Sequence, residues 1–203
     1  MSKTKIYLIR HGETYWNIQN RIQGHSPNSI NENGKIQSQK LKERLSGIVF
    51  DEIYSSDLPR ALHTAQIIFP NKEIKITQSL RERYFGLWEG KTKNEIQSQS
   101  PEIFEIYQTK KKLHLSSKGE SLNFFRKRIL KAITEIAEQN KGKTIAIVTH
   151  GGVIKFFYQI IHNFPVEKVR EIAFNNTSLN VVEFDSDKKE FNWLVKNDTS
   201  HLG

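Results

Sequence analysis

Two histidines stand where a sheet would present them to a ligand. Arg10-His11-Gly12 follows the apolar run Ile6-Tyr7-Leu8-Ile9, and His150-Gly151-Gly152 follows Thr144–Thr149. Both runs are short, apolar and rich in β-formers, as buried central strands are. Ligands of open α/β sheets bind in the crevice outside the carboxyl ends of the strands. A lone histidine at such a place is more often structural. Two at equivalent strand ends, with the guanidinium of Arg10 beside one, point to a catalytic or phosphate-binding pair. Gly12 is expected to permit a turn that a side chain would block.

The elements that must position this pair are legible in outline. Asn31–Leu45 carries a helical pattern on Ile36, Leu41 and Leu45, with Asn31 as its N-cap. A short strand is expected over Ile48–Tyr54, leading to Ser55-Ser56-Asp57. Arg60–Phe69 reads as a helix stopped by Pro70, and Glu73–Thr77 as a brief strand. Thr92–Leu115 is polar, weakly helical and broken near Pro101. Gly119-Glu120-Ser121 opens a long helix to about Gln139, with Leu122, Phe125, Ile129, Ile133, Ile136 and Ala137 on one face. A helix follows His150 to about Ile161. Leu179–Phe184 and Phe191–Val195 read as a closing hairpin around Asp185–Lys189. Strands alternating with helices imply an α/β three-layer sandwich, a mostly parallel central sheet with helices on both faces. One domain over 1–203 is expected, with a small cap insertion at about 91–118.

Composition bounds the partners. The chain has 203 residues, about a quarter of them charged, and a formal net charge of +9. That size and composition suit a globular domain with a sizeable core. A basic surface attracts anionic substrates. Nucleic-acid binding would want basic residues interleaved with aromatics; the tight run Lys110-Lys111-Lys112 lacks them, so no nucleic acid is expected. No apolar run approaches the roughly 18 residues of a membrane span, and no signal-peptide pattern precedes the first strand. With no cysteine, a cytoplasmic location is the default. No cluster has metal-ligand spacing.

The motifs are also ordered along the chain. Arg10-His11-Gly12-Glu13-Thr14 with Trp16 and Asn17, then Arg21, Gln23 and Gly24, resemble the first signature of the histidine phosphatase superfamily, the phosphoglycerate-mutase-like fold. Ser55-Ser56-Asp57-Leu58 with Arg60-Ala61 and Thr64-Ala65 resembles its second block. Leu80, Glu82, Phe85-Gly86 and Trp88-Glu89-Gly90 resemble the third, Gly119-Glu120-Ser121 a fourth and Thr149-His150-Gly151-Gly152 a fifth. Asn176 and Ser178 sit where the family often has a late asparagine-serine pair. The loop His25–Ile30 departs from the family pattern, which carries an aspartate and a proline-leucine pair there.

The resemblance implies a phosphohistidine mechanism. His11 is the expected nucleophile, kept neutral by Arg10 and Arg60, with a backbone carbonyl fixing its tautomer. Arg10 and Arg60 suit phosphoryl oxygens as planar charged forks. His150 is expected to donate as imidazolium, and Glu82 to act as acid and then base. Asn17, Gln23, Gly24 and Gly151 are expected around the phosphate. Ser121 is expected either to cap the long helix or to touch the phosphate. Glu82 read alone would be a surface carboxylate paired with Arg81 or Arg83. No metal and no cofactor are expected. Cofactor-dependent mutases carry asparagine where this chain has Gly152, tyrosine where it has Phe85, and an arginine pair in the cap, whereas 91–118 has no arginine. The resemblance therefore favours a phosphomonoesterase acting on a small phosphorylated metabolite: α-ribazole phosphate, phosphoserine, a sugar phosphate or a phosphoglycerate. A phosphoglycerate mutase is the alternative, and a non-catalytic phospho-ligand binder the second. A homodimer is compatible with the sequence.

Overall fold

The structure, a computed structural model, describes residues 3–99, 101–102 and 118–203. Six strands form one sheet in the order β3-β2-β4-β1-β5-β6. β1 (Lys3–Arg10) lies inside it, parallel to β4 (Thr144–Thr149) and antiparallel to β5 (Leu179–Asp185). β2 (Glu52–Ser56) is parallel to both β4 and β3 (Ile74–Thr77). β6 (Glu190–Asp198) closes the far edge, antiparallel to β5. The sheet is therefore mixed, four parallel strands extended by an antiparallel hairpin.

Helices cover both faces. α1 (Tyr15–Ile18) is a single turn after β1. α2 (Glu32–Arg44) and α3 (Pro59–Ile68) contribute to an apolar cluster with Tyr7, Ile9, Ala146 and Val148. α5 (Leu122–Gln139) and α6 (Gly151–His162) contribute to the opposite cluster with Ile6, Leu8, Ile145 and Ile147. The alternation of side chains along a strand explains the division: neighbours in β1 and β4 point to opposite faces, and both faces are covered. α4 (Lys93–Gln99) stands apart, with Ile96 packed beside Trp88.

Several elements lie close to expectation. Asn31 caps α2, accepting from the Gly34 N–H, and Ser121 caps α5, accepting from the Phe124 N–H. β2 starts later than expected: Phe50 is buried and Ile48 packs in the cluster beneath α2 and α3, ahead of the strand. The hairpin is longer than expected, reaching Asp198. Most of the expected cap, including Lys110–Lys112 and His114, lies outside the described residues. Among the described residues no helix is long and apolar enough to cross a membrane.

Candidate active site

The register of β1 and β4 brings the two histidines together. Arg10 pairs with Thr149, and the His11 N–H continues the ladder by donating to the Thr149 carbonyl at 2.9 Å. Both rings are buried, and their centroids lie 5.4 Å apart.

His11 is held in one tautomer. Its Nδ1 lies 2.8 Å from the Gly12 carbonyl, which can only accept, so Nδ1 carries the proton and Nε2 the lone pair. Burial first, then the Arg60 and Arg10 charges, hold its pKa well below the usual histidine value, so the ring is neutral at pH 7. Asn176 Nδ2 donates to the His11 carbonyl at 2.9 Å, and the Gly12 N–H donates to Thr64 Oγ1 at 2.9 Å. Gly12 itself does not take a left-handed turn. A Cβ there would lie 2.6 Å from the Gly34 carbonyl oxygen, so close approach of the β1 end to α2 is what demands glycine.

The cations flank this ring. Arg10 donates from Nη1 to the Phe174 carbonyl at 2.6 Å. Arg60, fully buried, donates from Nη2 to the Gly24 carbonyl at 2.6 Å and from Nη1 to the Ser26 carbonyl and Asn28 Oδ1, both at 3.0 Å. The loop that departs from the family pattern is thus what grips Arg60. Burial lowers the Arg60 pKa to about 10, which leaves it charged at neutral pH. The Nε atoms of both arginines are buried with no hydrogen-bond partner.

His150 corrects one expectation. Burial, reinforced by Arg60 and His11, holds its pKa well below the usual value, so it is a neutral imidazole and not an imidazolium. Its Nε2 lies 2.8 Å from Ser56 Oγ, while Nδ1 is buried and unpartnered.

Glu82 is not paired with its neighbours' side chains. Arg81 binds Asp57, and Arg83 Nε donates to the Glu120 carbonyl. The Glu82 carboxylate instead accepts the Arg83 N–H at Oε1 and the Gly152 N–H at Oε2, each at 2.8 Å. The Gly152 N–H belongs to the first turn of α6, whose amides have no partner within the helix. A Cβ at 152 would overlap Oε1 of Glu82, so this contact requires glycine.

A cleft of about 360 Å³ joins these groups, lined at one end by Arg10, His11, Gln23, Gly24, Arg60, Glu82 and Gly151. Three further residues expected at the site are not among those that line the cleft. His150 adjoins His11 but is not a lining residue. Asn17 Oδ1 accepts from the N–H and Oγ1 of Thr14, both at 3.0 Å, because it closes the cap of α1. Ser121 borders a neighbouring hollow with Tyr84 and Arg128, its hydroxyl committed to capping α5. The sequence reasoning missed the other wall: Lys155 and Phe156 of α6, Val166, Val169 and Arg170 of a following tight turn, and Phe174. The i, i+4 spacing from Gly151 to Lys155 was the available signal.

Comparison with known proteins agrees with this geometry. The model of the "Histidine phosphatase superfamily (branch 1)" matches residues 6–197, and the chain belongs to that family of enzymes. It is 37% identical to "Phosphoglycerate mutase-like protein 4" of Arabidopsis thaliana, over 98% of this chain and 86% of the relative. It is 34% identical to the "Metal-independent phosphoserine phosphatase" of the same plant, over 98% and 83%. Among solved structures, "Bacillus stearothermophilus YhfR" superposes with a TM-score of 0.90 at 33% identity, covering 98% of this chain and 100% of that one.

Proposed function

We propose that the protein is a metal-independent phosphomonoesterase that hydrolyses a small phosphorylated metabolite through a phosphohistidine at His11. One observation carries this reading: a neutral histidine, its lone pair fixed on Nε2, lines one cleft with Arg10 and Arg60, whose charges act on its ring and whose buried Nε atoms have no hydrogen-bond partner among the described residues. Buried donors are costly when unsatisfied. A phosphoryl group has the oxygens to satisfy them, and phosphoryl transfer is catalysed mainly by positioning and by donors aimed at those oxygens.

In the first step Nε2 of His11 attacks phosphorus, the bond to the ester oxygen breaks, and Glu82 delivers a proton to that oxygen. In the second, water attacks the phosphohistidine, gives a proton to Glu82, and the N–P bond breaks to release inorganic phosphate. The N-terminus of α6, where Gly151 lines the cleft, adds favourable dipole and amide groups. The resemblance favours hydrolase over mutase, since mutases carry asparagine where this chain has Gly152.

The test is release of nitrophenol from para-nitrophenyl phosphate in excess chelator. The parent protein should turn over and His11→Ala should lose at least about 10⁴-fold in kcat. No release by the parent between about pH 5 and 8 would favour a non-catalytic binder. Efficient isomerisation of 3-phosphoglycerate with its bisphosphate cofactor would make it a mutase.

A further inference from the structure

The cleft extends beyond what a phosphate needs. Its outer part is lined by Lys155, Phe156, Val166, Val169, Arg170 and Phe174. Lys155 lies four residues after Gly151 on α6, hence on the same face and about 6 Å along the axis from the phosphate end. It is half-buried and makes no ion pair or hydrogen bond among the described residues, and its acidic neighbour Glu82 is committed to two backbone amides. Burying an ammonium without a partner is unfavourable. Burial and the nearby Arg10 both push its pKa down, which an added anion would reverse. Among the described residues Glu82 is the one acid lining the cleft.

We infer that the outer part of the cleft is a second anion site centred on Lys155, so that the substrate is a phosphate ester whose organic part carries a further anionic group one helical turn from the phosphorus. A carboxylate and a second phosphate share this chemistry. The apolar wall covers the carbon skeleton between the two charges. An ammonium on that skeleton gains nothing from a cleft so rich in cations. The inference rests on the hydrolase reading and names the substrate class of the same site.

The experiment compares matched esters on the full-length protein: 3-phosphoglycerate against glycerol 3-phosphate, which replaces the carboxylate by a hydroxymethyl group, and fructose 1,6-bisphosphate against fructose 6-phosphate. The parent should prefer the ester with the additional anionic group in one of the pairs by about tenfold or more in kcat/KM, and the pair that shows it identifies the anion. Lys155→Met should lose most of that preference, with the change in KM, and Lys155→Arg should keep it. Equal kcat/KM within both pairs overturns the inference alone, as does a preference that survives Lys155→Met. Should Lys155→Met not fold, Lys155→Gln replaces it, and the parent's own ratio still decides. No turnover of any ester, para-nitrophenyl phosphate included, overturns the hydrolase reading and the inference with it.

Discussion

The two ends of the cleft are built differently. At the phosphate end the side chains are tied down: His11 by the Gly12 carbonyl, Arg60 by three acceptors of the 24–28 loop, Glu82 by two amides. At the outer end Lys155 makes no ion pair or hydrogen bond among the described residues, and the wall around it is formed by Phe156 of the same helix and by Val166, Val169 and Arg170 of the turn after it. The chemistry is fixed by backbone and buried bonds, which a change of substrate need not disturb. Selectivity is left to side chains that bear little structure.

Three changes probe that contrast. The largest effect is expected from Glu82→Gln, which keeps the shape and removes the proton. It should cost about 10²–10⁴ in kcat on alkyl phosphates, and far less on para-nitrophenyl phosphate, whose leaving group departs unprotonated. Steady-state rates on the two esters measure this; equal losses would remove Glu82 from the proton transfer. Gly152→Ala should act through the same carboxylate, lowering kcat about tenfold with the same leaving-group dependence and little change in KM. A variant with the parent's rate and dependence would show that Gly152 does not position Glu82.

The smallest effect is on stability. His11 and His150 are buried and neutral, with folded pKa values well below the unfolded one. Below about pH 6.5 the unfolded rings bind protons and the folded ones do not, so stability present above that pH is lost on acidification. The loss is roughly 1.4 kcal/mol per ring per pH unit. Urea midpoints should be flat from pH 8 to 6.5 and fall from 6.5 toward 5. A flat profile throughout would mean that the inner end is not closed to protons.

The same contrast explains what the sequence revealed. His11 and His150 were legible because strand ends announce themselves by where an apolar run stops. Arg60 and Glu82 came through resemblance, since nothing local separates them from surface charges. The role of Gly152 and the Arg60–loop bonds arise from approaches between distant segments, which periodicity does not encode. For Ser121 the cap is the one of its two expected roles that the structure shows, and for Asn17 the side-chain oxygen is taken up by the cap of the first short helix, a local use of polar atoms that competes with a ligand. Lys155 was passed over because a lysine on a helix reads as solvated until the neighbouring wall is seen.

The most direct measurement is to trap the enzyme during turnover of a ³²P-labelled ester and map the label. A base-stable, acid-labile phosphoryl group on the peptide containing His11, absent from His11→Ala, is the predicted result. Turnover without any labelled protein in the parent under rapid quench, or label on another residue, would contradict the account.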